Sequence, residues 1–180
     1  IVIPVTIITI MLLLFLNFRN VVEVLIILGT LPMALTGGLW LLYLLDYNLS
    51  VAVGVGFIAL AGVAVEIGVI MLVYLKQAMA RHQLRAEQAG RPMQRDDVEK
   101  AVYEGALMRV RPIMMTVATI IVGLLPIMLG GGTGSEVMRR IAAPMVGGMV
   151  SATVLTLAVI PAIFLLWQGY GMKEARDKNE

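Results

Sequence analysis

The residue best placed to do chemistry in this chain is Glu66. It stands in the middle of an apolar run, AVGVGFIALAGVAVEIGVIMLVYL, over residues 52–75. The run is long enough to cross a bilayer. A carboxylate at that depth costs at least a few kcal/mol, so an intramembrane acid marks a functional site by default. Back along the same helical face come Gly62, Ala59 and Val55, and Gly54, Ala61, Ala64 and Gly68 add further small residues. Small residues let helix backbones approach closely. The spacing therefore predicts a helix inside a bundle, with Glu66 directed at protein. An apolar surrounding disfavours the charged form of a carboxyl. A carboxyl poised in this way takes up and releases a proton as its surroundings change. A permanently protonated Glu66, bonded to a backbone carbonyl, is the other reading of the same residues.

Five further positions carry chemistry-bearing side chains. Thr116 and Thr119 lie three residues apart, with Gly123 four further on. They form a polar stripe able to meet Glu66 across a helix interface, although a Thr in a membrane helix also bonds its own i−4 carbonyl. Arg109 and Arg111 stand where a charged stretch gives way to an apolar one, the usual place for snorkelling anchors. Of the 13 Met, most lie in apolar runs, where Met is ordinary filler. Met138 instead sits beside a glycine run. Thioether sulfur is a soft ligand that selects Cu(I), but one Met alone makes no metal site.

The remaining motifs exclude functions. His82, the only histidine, lies among Arg81, Gln83 and Arg85 and reads as a solvated loop residue. The run Gly130-Gly131-Gly132-Thr133-Gly134 lacks the Lys-Ser/Thr pair of a phosphate loop. There is no cysteine, hence no thiolate metal site. With no nucleophile–base pair or hydrolytic metal cluster, the chain does not read as an enzyme. A net charge of +2 gives no footprint for nucleic acid.

These residues need apolar helices to hold them. The 180 residues are 59% hydrophobic and 14% charged, with mean hydropathy +0.91. A soluble domain carries about 25% charged residues. The pattern is that of an all-α membrane protein with five spans, at about 1–17, 21–45, 52–75, 113–129 and 141–167. Gly29, Pro32 and Gly37-Gly38 interrupt the second, with Pro32 the expected kink. Residues 76–111 form a charged loop, broken at Gly90-Arg91-Pro92. Within it Val98, Ala101, Val102, Gly105 and Met108 recur at helical spacing, which predicts an amphipathic helix on the membrane face that feeds the fourth span. Residues 1–168 make one membrane domain, and 169–180 read as a disordered charged tail. Apart from Arg139 and Arg140, all of the 14 Lys and Arg fall on one side of this arrangement. That side is the cytoplasm by the positive-inside rule. The chain opens on Ile1-Val2-Ile3-Pro4 without an initiator Met, and reads as the C-terminal part of a longer polypeptide.

Three stretches, GFIALAGVAVEIGVIMLVYL, RVRPIMMTVATIIVGLLPIM and GGGTGSEVMRRIAAPMVGGM, together resemble the resistance–nodulation–division (RND) efflux transporters, in their heavy-metal branch. The resemblance covers about residues 1–168 and corresponds to the last five helices of a twelve-helix protomer. It implies a homotrimeric proton antiporter of the bacterial inner membrane, coupled to a periplasmic adaptor and an outer-membrane channel. It implies no cofactor beyond the transported ion. It assigns Glu66 to a proton relay facing an acid on a helix that precedes this chain. Thr116 and Arg109 match relay positions of drug-exporting relatives. Those relatives place Lys where Glu66 stands, which argues against drug export.

The substrate follows from finer matches. Ser135-Glu136-Val137-Met138 matches the copper/silver pumps, whose Met at this position belongs to a ladder handing on Cu(I) or Ag(I). The resemblance thus gives Met138 as a metal-handling residue. The same pumps carry Lys directly after the Arg-x-Arg-Pro motif, where this chain has Ile113. The expected function is proton-driven efflux of heavy-metal cations, Cu(I)/Ag(I) ahead of Zn, Co or Cd. A drug-exporting or non-transporting RND relative is the remaining alternative.

Overall fold

The computed structural model describes residues 2–177, with side chains described for residues 4–167. The described residues form five α-helices and no strand: α1 (Val2–Phe18), α2 (Val21–Leu44), α3 (Val51–Gln88), α4 (Arg95–Leu129) and α5 (Ser135–Asp177). Helices α2 to α5 are each long and apolar enough to cross a membrane, and α1 is a shorter apolar helix. The all-helical membrane architecture is thus the one the sequence predicts.

Helix starts follow local chemistry. The Asn20 side chain accepts from the Val22 amide at the head of α2, and Ser50 accepts from the Val53 amide at the head of α3. Such caps satisfy amides that have no partner inside the helix. Helix α5 is the hub, packing against α2, α3 and α4, while α1 packs mainly on α2.

Packing at the hub runs through glycine. A Cβ on Gly37 of α2 would fall 2.6 Å from the Gly147 carbonyl oxygen of α5. A Cβ on Gly147 would fall equally close to the Gly37 carbonyl oxygen. Gly56 of α3 lies as tightly against Ile141 and Pro144 of α5. Ser151 Oγ adds a cross-helix bond to the Ala34 carbonyl at 3.2 Å. Gly37 and Gly38, which read as interruptions of the second span, are therefore contact surface, whereas Gly29 meets no neighbour, and α2 continues across Pro32 and Gly37-Gly38 as one helix.

The charged stretch 76–111 differs from its sequence reading. Helix α3 continues past the end of its apolar run to Gln88, and α4 begins at Arg95 and passes unbroken through Pro112 into the membrane. Together they make a helical hairpin. The amphipathic stretch is present, but α3 of the same chain covers its apolar side rather than a membrane surface. Gly105 packs on Tyr74, Leu75 and Ala78, and Val98, Ala101 and Val102 are buried. His82 is correspondingly no free loop residue. Its Nε2 lies 2.8 Å from Glu104 Oε2, with Arg81 and Arg85 on the same carboxylate at 3.6 and 3.9 Å. These partners, His82 foremost, hold the Glu104 carboxyl below its ordinary range. The expected tail also differs, since α5 continues as far as Asp177. Met172, Lys173, Glu174, Ala175 and Arg176 are strong helix formers, which accounts for the extension.

At the hairpin tip Arg91 donates to both oxygens of Asp97, at 2.6 and 2.9 Å. With the Gln94 amide, it holds the Asp97 carboxyl far below the ordinary carboxylate range. A depressed folded-state value stabilises the tip above the unfolded-state value and loses that stabilisation as pH falls towards the folded one. Amide protection at residues 91–100, taken relative to the unstructured-chain rate at the same pH, should therefore be high at neutral pH and fall as pH drops below about 4. Asp97→Asn should be poorly protected at neutral pH and lose this acid dependence.

A second prediction concerns the seam. Gly37→Val and Gly147→Val should each destabilise detergent-solubilised protein by about 1–3 kcal/mol or more, the range for overpacking. The check is the melting temperature, and an unchanged value would rule out the close approach of α2 and α5.

Candidate functional site: an uncovered acid within the membrane

Lys76, the first residue of the charged stretch 76–111, lies ten residues beyond Glu66. At 1.5 Å per residue that separation is about 15 Å, half of a ~30 Å hydrocarbon core. Glu66 thus stands near mid-membrane. Its immediate surroundings differ from the sequence expectation. Residues Gly56, Leu60, Ala64, Ile67 and Met71 of α3 are buried in the bundle, whereas Val55, Ile58, Gly62 and Glu66 are exposed. No atom of the chain outside the helix's own backbone lies within 4 Å of where a Gly62 Cβ would be. Among the described residues Glu66 has no hydrogen-bond or ion-pair partner. The small residues that do mediate packing lie on the opposite side of α3.

Helix α4 presents a similar open face. Its membrane part is the least covered of the four long helices. Thr116, Thr119 and Gly123 are all exposed. Thr116 donates to the Pro112 carbonyl at 3.1 Å and Thr119 to that of Met115 at 2.8 Å. Each hydroxyl is thus engaged on its own helix, as Thr in an apolar helix tends to be. Arg109 is half-buried, with its guanidinium 4.4 Å from the centre of the Tyr74 ring. A cation over an aromatic face is attracted by the ring quadrupole. Arg111 is exposed. No hydrogen bond or ion pair joins Glu66, Thr116 and Arg109 within the described residues.

Ile113 occupies the seam between these two open faces. It is 5% exposed and packs in one cluster with Leu60, Ile67, Val117 and Met149. Ile67 is the neighbour of Glu66 in sequence. Ile113, where the resemblance leads to a Lys being expected, is therefore apolar and buried, in one cluster with the residue next to the acid.

Met138 stands in the first turn of α5, 51% exposed. The preceding loop turns back through Gly132 and Gly134, both at positive φ, a conformation that favours glycine. Ser135 Oγ donates to the Gly132 carbonyl at 2.8 Å, and the Arg139 guanidinium reaches back to the Gly130 carbonyl at the end of α4. Among the described residues no group of three or more His, Asp or Glu could hold a metal ion. The soft donors at this end are thioethers, Met138 exposed and Met128 partly buried against Leu42, Val53 and Ala143.

The structure adds a residue that the sequence reading passed over. Glu23, in the first turn of α2, is 3% exposed. Its Oε2 lies 2.9 Å from Lys76 Nζ. An acid three residues into an apolar run, with a Lys closing the next such run, was the available signal.

Ile113→Lys gives a direct test of the seam. A lysine there has an apolar cluster around its stem and only Glu66 within a residue's step. The variant should melt close to the parent while Glu66 is present and several degrees lower in a Glu66→Gln background. Equal melting in the two backgrounds would show that position 113 does not reach the acid.

Comparison with known proteins places this arrangement. Residues 1–168 match the model of the AcrB/AcrD/AcrF family. The chain is 53% identical over 167 residues to the putative cation efflux system protein SilA of Salmonella typhimurium, and equally so to the cation efflux system protein CusA of Escherichia coli K12. It is 37% identical over 166 residues to the cobalt-zinc-cadmium resistance protein CzcA of Cupriavidus metallidurans. Each match covers 92% of this chain, and the chain spans 16% of SilA and CusA and 14% of CzcA. A crystal structure of a heavy metal efflux pump superposes with a TM-score of 0.77 at 36% identity, over 93% of this chain and 16% of that one. The chain is a multi-pass inner-membrane segment and belongs to the AcrB/AcrD/AcrF family of RND transporters.

Proposed function

We propose that this segment supplies one half of the proton path in an exporter of heavy-metal cations. The observation that carries the proposal is Glu66: an acid near mid-membrane, on a helix face that its own chain leaves bare. Such a group is costly unless something else lies against it. The chain spans 16% of its relatives' length, so a covering element has ample sequence to come from. On this reading a second acid faces Glu66, and the two exchange protons as the protomer changes shape. Thr116 and Arg109 line the route to the cytoplasm.

The cargo is Cu(I) or Ag(I) ahead of divalent cations. Identity of 53% to SilA and CusA against 37% to CzcA supports that order. So does an exposed thioether, Met138, at the outer mouth, because soft ligands select monovalent copper. The metal is cargo and not a cofactor, and the protein is a transporter and not an enzyme. It works as a homotrimer joined to a periplasmic adaptor and an outer-membrane channel.

In the full-length transporter Glu66→Gln should abolish metal resistance at unchanged expression. Resistance equal to the parent would end the relay role. Met138→Ala should lower tolerance of copper and silver and leave tolerance of zinc and cobalt intact. An equal loss for all four metals would count against a thioether contact with the cargo.

A further inference from the structure

We propose that the Glu23–Lys76 pair is a register lock that fixes how deep α3 sits against α2, and so where Glu66 stands in the membrane. The weight of this for transport rests on the relay role proposed above; its test does not.

The pair joins three helices. Glu23 lies at the start of α2, where the positive end of the helix dipole favours a carboxylate. Lys76 Nζ meets it at 2.9 Å from α3 and lies 5.7 Å from the centre of the Phe18 ring of α1. Among the described residues it is the only ion pair or side-chain hydrogen bond between α2 and α3. The rest of that contact has no polar bond across it. Gly68 of α3 faces Thr30 and Ile27 of α2 at ordinary van der Waals distance, and the Phe57 ring of α3 lies against Gly38 of α2. Apolar contacts of this kind are non-directional. The ion pair is directional: its carboxylate is buried and its Lys half-exposed, and a shift of one residue, about 1.5 Å, strains its geometry. Setting register is the best-attested use of buried polar pairs.

The two groups also have no rival partners. Lys76 lines a cavity of ≈ 520 Å³ with Glu23, Gln83, Glu87 and Arg91. Arg91 is taken by Asp97, and Glu87 accepts from Gln83. Glu23 therefore depends on Lys76 alone. Glu66 follows rigidly, since it lies ten residues away on the same unbroken helix.

The test uses the purified full-length transporter and a membrane-soluble carbodiimide, dicyclohexylcarbodiimide. The protonated Glu66 carboxyl adds across a C=N bond of the reagent to give an O-acylisourea, which rearranges by O-to-N acyl transfer to a stable N-acylurea that mass spectrometry locates and times. Lys76→Met and Glu23→Gln should each change the rate of modification at Glu66 at least threefold. Lys76→Arg, which keeps the charge and the reach, should stay within twofold of the parent. Because Lys76 is half-exposed, its variants remain available if Glu23→Gln does not fold. Parent-like rates in Lys76→Met would overturn the proposal. So would an equal change in Gly37→Ala at a matched melting temperature, since that would reflect general loosening of the bundle. Modification of Glu66 is read without transport, so failure of the relay role and failure of the lock are separate results.

Discussion

Close approach of helix backbones at Gly37, Gly147 and Gly56 is the constraint from which the rest of this bundle follows. In a membrane, lipid tails are as apolar as leucine, so burial of apolar side chains drives helix association only weakly. What holds helices together is dispersion at short range, and dispersion is lost over gaps of half an ångström. Glycine on both sides of the α2–α5 crossing lets carbonyl groups approach where any Cβ would collide. With that crossing fixed, α5 is positioned to receive α3 through Gly56 and α4 through the Ile113 and Val117 cluster. The Ser151 bond to Ala34 closes the same contact with a polar group.

Fixing the bundle on one side of α3 leaves its other side bare, and Glu66 falls on the bare side. The same division appears on α4, where Ile113 and Val117 face in and Thr116 and Thr119 face out. Function and packing are thus separated by helical phase. The residues that build the bundle and those proposed to handle protons interleave in sequence yet lie on different faces. A change at Glu66 or Thr116 is free to alter chemistry without disturbing the seam.

How much of this was legible in the sequence depended on the scale of the signal. Long apolar runs carried the helices, because bilayer thickness acts on whole segments. Glu66 was legible because one carboxylate in twenty apolar residues is costly anywhere in the run. Its orientation was not. Small residues lie all round α3, and only the positions of α2 and α5 decide which of them, Gly56 or Gly62, meets a neighbour. For the same reason Gly37-Gly38 read as an interruption. The apolar stripe at Val98, Ala101 and Val102 identified a helix correctly, but periodicity does not say whether lipid or protein covers it. Glu23 escaped notice because its partner is 53 residues away, a pairing that only the antiparallel return of α3 creates.

The hairpin beyond the membrane has a mechanical consequence. Helices α3 and α4 both leave the bilayer without a break, and they are tied to each other by Gly105 packing and the Glu104 cluster. From Lys76 to the turn at Gly90 is an arm of about 20 Å. A tilt of α3 of about 10° around its cytoplasmic end would swing the tip by about 3 Å. The charged hairpin is thus a pointer geared to the helix that carries Glu66. It brings any motion of that helix out of the membrane into water, as a displacement of the turn at Gly90-Arg91-Pro92.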